Sequence, residues 1–99
     1  MNMQLKGYHK AFESRIRLSI MSILAVNDSV DFSSLKEFLE LTDGNLAGHL
    51  KALEKEDFIQ VSKKFIGRKP NTCYAQSKKG KKAFEQHLAA LERFILSQK

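Results

Sequence analysis

Apolar side chains recur every three to four residues near both ends of the chain. Between residues 8 and 26 the repeating positions are Phe12, Ile16, Ile20, Ile23 and Leu24. Between residues 78 and 97 they are Phe84, Leu88, Leu91 and Ile95, with Ala83, Ala90 and Phe94 on a further side. This period places apolar side chains on one face of an α-helix. The pattern therefore predicts amphipathic helices over about residues 8–26 and 78–97.

Two shorter helical patterns lie between these segments. Ser34 and Glu37 match a capping box, in which two side chains satisfy free backbone donors at the start of a helix. Residues 41–44 read as a turn, after which Thr42 or Asp43 can cap a second helix. The predicted inner faces are Leu35, Phe38 and Leu39 in the first helix and Leu46, Leu50 and Leu53 in the second. Two short helices joined by a tight turn form a helix-turn-helix.

The hydrophobic period changes to two in the second half of the chain. Apolar and polar residues alternate over 59–62, as in a half-buried strand. Residues 65–71 contain Gly, Pro and Asn and predict a hairpin tip, and residues 72–76 are rich enough in β-forming residues to form the returning strand. A further short extended piece is predicted at 30–32.

These elements predict an α+β fold that is mainly helical and forms a single domain over residues 1–99. It has a helix-turn-helix at about 33–56 and a hairpin at about 58–76, which we call the wing. The two terminal helices flank these parts, and the strands form a two- to three-stranded antiparallel sheet. A chain of 99 residues is long enough for one hydrophobic core.

Composition favours a cytoplasmic protein without a catalytic or metal centre. Cys73 is the only cysteine, which excludes an internal disulfide and suits a reducing compartment. No apolar run approaches the ~20 residues of a membrane span, and the first twelve residues lack the features of a signal peptide. The glycines form no phosphate loop, and His9, His49 and His87 are far apart in sequence. We therefore expect no enzymatic activity, no cofactor, no metal and no membrane-spanning segment, with Cys73 as a small buried side chain.

Positive charge is concentrated in one part of the chain. The net charge is +6, and no acidic residue occurs between Asp57 and Glu85. Eight of the seventeen basic residues fall in this interval: Lys63, Lys64, Arg68, Lys69, Lys78, Lys79, Lys81 and Lys82. A segregated basic block favours a polyanionic partner, either nucleic acid or an anionic membrane surface, over a solvated face. Charge alone does not distinguish these partners.

Local motifs favour nucleic acid over a membrane partner. The segments LTDGNLAGHLKALEKEDFI, IGRKPNTCY and SKKGKKAFEQHL, in this order, resemble the small stand-alone MarR-like and ArsR-like transcriptional regulators. The resemblance covers about residues 10–97 and implies a winged-helix regulator that binds double-stranded DNA. Asp57 departs from the pattern, because many relatives have Gly between the recognition helix and the strand. Asp tolerates the left-handed conformation that this turn requires.

The resemblance implies specific contact residues. Residues 43–56 would lie in the major groove as the recognition helix, and residues 64–71 along the minor groove or the phosphate backbone. The recognition-helix candidates are Thr42, Asp43, Asn45, Gly48, His49 and Lys51, and the wing candidates are Lys63, Lys64, Arg68 and Lys69. Asn45 suits bidentate hydrogen bonding with adenine, and Gly48 allows close approach of the backbone. The alternatives are an idle imidazole at His49, a helix-packing contact at Gly48 and a solubilising tip on the wing.

Relatives of this kind usually form homodimers through their terminal helices. The candidate interface residues on the last helix are Phe84, Leu88, Leu91, Phe94 and Ile95, although both apolar sides of this helix could instead belong to the core. Two other functions remain open, a protein-docking winged helix and a nonspecific nucleic-acid-binding protein. The operator, the effector and the direction of regulation are not encoded in any motif that we identify.

Overall fold

The computed structural model describes residues 7–98. Residues 1–6, in the stretch where no signal peptide is predicted, and Lys99 lie outside this range. A short 3-10 helix, Lys10–Glu13, precedes the regular elements. These are α1 (Arg15–Ala25), β1 (Val30–Asp31), α2 (Phe32–Leu39), α3 (Asp43–Lys55), β2 (Ile59–Ile66), β3 (Lys69–Gln76) and α4 (Lys78–Leu96).

The first helix begins later than its hydrophobic pattern predicts. The chain from Tyr8 to Ser14 is not α-helical, and α1 starts only at Arg15. Ser14 has an extended backbone, and its side-chain oxygen accepts a hydrogen bond from the Arg17 N–H at 3.3 Å. This N-cap fixes the start of α1. Phe12 lies before the cap and outside α1, but it is only 2% exposed. Its position in the predicted apolar stripe therefore reflects burial in the core and not membership of the helix.

Two expectations for α2 are wrong. Its N-cap is Asp31, whose carboxylate accepts from the Ser34 N–H at 3.2 Å, so Ser34 lies inside the first turn and forms no capping box. Asp and Ser are comparably good caps, and the cap three residues earlier also shortens the extended piece to two residues. Phe38 is not on the inner face; it is 79% exposed, whereas Leu35 is fully buried.

Both ends of α3 are defined by side-chain and backbone caps. Thr42 accepts from the Asn45 N–H at 3.2 Å, as the sequence predicts. At the other end Asp57 adopts φ 60°, and the N–H groups of Asp57 and Phe58 donate to the carbonyls of Glu54 and Leu53. This pair of hydrogen bonds is the Schellman motif, in which glycine usually occupies the left-handed position.

The sheet has three antiparallel strands in the order β1-β3-β2. The hairpin between β2 and β3 is longer and its turn tighter than the predicted tip at 65–71. Ile66 pairs with Lys69, so the turn consists of Gly67 and Arg68 alone. Gly67 has φ +66°, a backbone conformation that glycine adopts with little strain and other residues do not.

The core lies between the helices and the inner face of the sheet. It contains Leu46, Leu50 and Leu53 of α3 together with residues of α1, α2, α4 and the aromatic pair Phe12 and Phe58. Cys73 is buried in β3. The predicted fold class is confirmed: four α-helices and a three-stranded antiparallel sheet form a winged helix. No helix within residues 7–98 is both long and apolar enough to cross a bilayer.

Candidate nucleic-acid interface

The outward face of α3 carries two glycines followed by two lysines. Leu46, Leu50 and Leu53 bury the opposite face completely, with exposures of 0–1%. Gly44, Gly48, Lys51 and Lys55 are spaced by four, three and four residues, so they form one exposed stripe along the helix. Asn45 is exposed beside its N-terminal end. Gly44 and Lys55 are additions to the predicted contact set, and Gly44 could have been found from its position one turn before Gly48.

Neither glycine has a structural reason within the described chain. A Cβ added at Gly44 or at Gly48 would meet no atom within 4 Å. The helix-packing alternative for Gly48 therefore finds no neighbour among residues 7–98. Glycine costs a helix roughly 1 kcal/mol relative to alanine, so each position carries a cost that no described contact offsets. The consequence is a section of α3 that is narrow and has an accessible backbone.

His49 lies at the edge of this stripe rather than on it. The ring is half-buried, and its Nδ1 is 3.2 Å from Arg17 Nη1 on α1. Burial, and then the charge of Arg17, lower the pKa of His49 below 6.5. Because guanidinium only donates, Nδ1 must accept, and the ring carries its proton on Nε2. The idle-imidazole alternative is therefore too simple, since His49 is a neutral ring with a fixed orientation.

Arg17 is a residue of this site that the sequence analysis missed. Its Nε donates to the Ala11 carbonyl at 2.6 Å, so the side chain bridges the segment before α1 and the recognition helix. Thirty-two residues separate it from His49. No local pattern in the sequence joins the two, and only the packing of α1 against α3 brings them together.

The N-terminal end of α3 is occupied by local interactions. The Thr42 side chain is used in the cap, and the carboxylate of Asp43 forms a 2.8 Å ion pair with Lys36 of α2. Both residues are exposed. Thr42 therefore fixes the start of α3, and the exposed ion pair of Asp43 links α3 to α2.

The wing presents its cations in several directions. Lys63 and Lys64 are paired with Thr72 and Asn71 in the middle of the hairpin. Because side chains alternate along a strand, these two lysines point to opposite faces of the wing. Arg68 lies in the turn and Lys69 just after it, and both are exposed. A single groove or phosphate strand can therefore meet only part of the predicted wing set.

The candidate dimer residues of α4 differ in burial along the length of the helix. Phe84 is 6% exposed, and its ring centroid is 5.7 Å from that of Phe12 in the core. This location removes Phe84 from the predicted interface. Phe94 and Leu91 are half-buried. Leu88 and Ile95 are exposed and seven residues apart, so they share the outward side of the helix with Leu91.

The basic start of α4 also has intramolecular partners. Ser77 caps the helix and accepts from the Gly80 N–H at 2.9 Å. Lys79 Nζ lies 5.8 Å from the ring centroid of Phe58, within reach of a cation–π interaction. Within the described residues, no three His, Cys, Asp or Glu side chains come together as metal ligands.

Comparison with known families gives a match over most of the chain. Residues 16–95 match the family described as winged helix DNA-binding domain. The chain is also 38% identical over 79 residues to MJ0432, an uncharacterized protein of Methanocaldococcus jannaschii. That alignment covers 80% of this chain and 86% of the relative.

Solved structures show the same architecture. A transcriptional regulator homologue from Pyrococcus horikoshii superposes with a TM-score of 0.83 at 27% identity, over 90% of this chain and 88% of the other. The YusO protein from Bacillus subtilis superposes with a TM-score of 0.80 at 18% identity, over 95% of this chain and 66% of the other. At that identity, the second match speaks for the fold alone.

Proposed function

The chain belongs to the winged helix DNA-binding domain family and is a small DNA-binding regulator, and we propose that it recognises a specific double-stranded sequence. In this proposal α3 enters the major groove and reads bases, with Asn45 and His49 as the side chains nearest the base edges. The wing contacts the neighbouring minor groove or backbone. The protein acts by binding, without catalysis or a cofactor, and works in the cytoplasm.

The exposed glycine stripe is the observation that carries this proposal. The major groove is about 12 Å wide, and an α-helix with its side chains is about 10–12 Å across. Removing side chains at Gly44 and Gly48 lets the backbone approach the floor of the groove. Lys51 and Lys55, on the same stripe, would meet the phosphates at the groove edge. If the outward face of α3 only kept the protein soluble, alanine at both positions would make the helix more stable than glycine does.

Selection from random double-stranded DNA at about 0.15 M salt tests sequence specificity. Enrichment of a motif is the expected result, and Asn45→Ala should then lose preference at one base position, by roughly 1–3 kcal/mol. Binding with no enriched motif would instead identify a nonspecific nucleic-acid-binding protein. No binding at lowered salt would favour the protein-docking alternative.

The wing assignment has its own test. Arg68→Ala and Lys69→Ala should weaken binding to all sequences and reduce the slope of log affinity against log salt by about one for each lost phosphate contact. Lys63→Ala and Lys64→Ala form a matched pair, since the two side chains lie on opposite faces. We expect one of them to change the slope and the other to leave it unchanged. Equal effects of both would contradict the groove geometry proposed for the wing.

We also propose a homodimer formed through α4. Leu88, Leu91 and Ile95 form the outward apolar stripe, with Ile95 61% exposed. A two-fold axis suits an inverted repeat with half-sites ~34 Å apart. Sedimentation velocity should show a dimer at tens of micromolar and a monomer for Ile95→Lys. Gln98→Lys, an exposed position near the same end of the helix, serves as the control; a monomeric wild-type protein would refute this assembly.

A further inference from the structure

An apolar groove runs between the C-terminal half of α1 and the start of α2. Its volume is about 370 Å³, and apolar side chains provide most of its surface. We call it the α1–α2 groove. Ile23 and Leu35 contribute to its floor, because both pack in or against the core, and Val26 and Phe38 are its exposed apolar lining residues. The outward stripe of α3 and the wing, which the proposed function uses, contribute no residue to this lining.

The exposure of the groove lining is unusual. Val26 is 82% exposed and Phe38 is 79% exposed, the two highest values among the large apolar side chains of residues 7–98. Such side chains are normally buried, and a contiguous exposed apolar surface commonly marks a site of interaction. Leu35 of α2 is fully buried, and Phe32 and Leu39 pack against the core, whereas Phe38 does not. Phe38 therefore has no explanation in the fold itself.

The segment that carries Val26 and Phe38 is acidic, whereas the chain as a whole is basic. Residues 26–41 contain four acidic side chains and one lysine, a net charge of −3 in a chain of net charge +6. The lysine, Lys36, is already paired with Asp43. Asp28 follows the lining residue Asn27, and Glu37 lies one turn after the lining residue Ser34. This surface would repel the phosphates of DNA, so nucleic acid is not its occupant.

We propose that the α1–α2 groove is a docking site for a basic amphipathic segment of a partner protein. Apolar side chains of that segment would enter the groove between Val26 and Phe38, and its Lys or Arg residues would face Asp28 and Glu37. An amphipathic helix that lays its apolar face in a groove is a recurrent mode of peptide recognition. The site would give a regulator bound to DNA a second, independent surface for a protein.

The probe is a synthetic helical peptide of about 15 residues with Leu on one face and Lys on the other. We would titrate it into the isotopically labelled full-length protein and follow backbone amide shifts. Saturable shifts should cluster on lining residues such as Ile23, Val26 and Phe38. A peptide with the same composition but scrambled Leu positions should bind at least tenfold more weakly. So should a peptide with Glu in place of every Lys.

Variants distinguish binding in the α1–α2 groove from nonspecific hydrophobic binding. Phe38→Ser should weaken the peptide at least tenfold, and Glu37→Gln should weaken it severalfold. Phe65→Ser removes an apolar side chain that is 73% exposed on the wing, and it should leave peptide binding unchanged. Shifts located elsewhere, equal binding of the Glu peptide, or an equal loss in Phe65→Ser would overturn the proposal. The DNA affinity of Phe38→Ser should match that of the wild type. The docking proposal and the proposal of DNA recognition can therefore be refuted independently.

Discussion

Replacing Gly48 with alanine should make the protein more stable and a weaker DNA binder. The position is in the middle of α3, and a new Cβ would meet nothing within 4 Å. Alanine therefore adds no clash, and it removes the entropic cost of glycine in a helix, roughly 0.5–1 kcal/mol. For a domain of this size, that gain corresponds to a rise in melting temperature of about 2–8 °C.

The same methyl group should obstruct DNA. If the backbone at Gly48 approaches the floor of the major groove, a side chain there must displace the helix outward by part of its own length. All direct contacts of α3 would then lengthen together. We expect at least a tenfold loss of affinity for the selected sequence, or about 1.4 kcal/mol. Stability and affinity thus change in opposite directions, a combination that a damaged fold cannot produce.

Gly80→Ala provides the contrast. Gly80 is also helical, but an added Cβ would overlap the main-chain carbonyl of Phe58, so this substitution should destabilise the domain by roughly 1–3 kcal/mol. Thermal unfolding and fluorescence anisotropy on the selected duplex measure both quantities for each variant. Unchanged or tighter DNA binding by Gly48→Ala would refute the close approach of α3. An unchanged melting temperature would refute the claim that Gly48 lacks an intramolecular role.

Three further predictions concern the fold around the site. His87 is 1% exposed, and its Nδ1 accepts the His9 N–H at 3.2 Å; burial, then the charge of His9, lower its pKa below 6.5, although Glu13 opposes the shift. The contribution of His87 to the free energy of unfolding should therefore be fully present above pH 6.5. As pH decreases below 6.5, the free energy of unfolding should fall by at most about 1.4 kcal/mol per pH unit, because the unfolded state binds the proton more readily. In urea titrations, His87→Asn should make the free energy of unfolding less dependent on pH. Asp57→Gly should raise the free energy of unfolding by up to about 1 kcal/mol, since φ 60° strains a residue with a side chain, and a loss of stability would contradict this. Arg17→Met should raise the pKa of His49 in an NMR titration, and an unmoved pKa would refute their contact.

The local elements were predictable because their signals are local. The three leucines of α3 and the Thr42 cap follow from spacing along a few residues. The alternation at 59–62 predicts the strand but not its burial, because Ile59 is buried whereas Val61 is 39% exposed. The errors occurred where two local signals compete. Asp31 and Ser34 are both good caps, and the earlier residue prevails in the structure. Helical spacing also continues back through Phe12, although α1 begins only after its N-cap, Ser14.

The site was predictable only in part, because some of its features depend on distant packing. The stripe on α3 follows from its sequence, whereas the contact between Arg17 and His49 requires two helices to be placed first. The same holds for α4, whose sequence offers two apolar sides. Phe84 packs against Phe12 in the core, whereas Leu88 and Ile95, further along the same stripe, are exposed, and only the placement of α4 on the domain shows where the covered part ends.

Opposite charges on different parts of the surface have a consequence for how the protein meets DNA. The interval between Asp57 and Glu85 carries eight cations and no acid, whereas residues 26–41 carry a net charge of −3. We expect a duplex to attract the basic interval and to repel the acidic one, which disfavours encounters with the acidic side forward before any contact forms. The Debye length at 0.15 M salt is about 8 Å, so this orientation acts only during close approach. Neutralising Glu37 or Asp28 should remove part of this repulsion and therefore increase nonspecific DNA binding, without changing any residue on the outward face of α3.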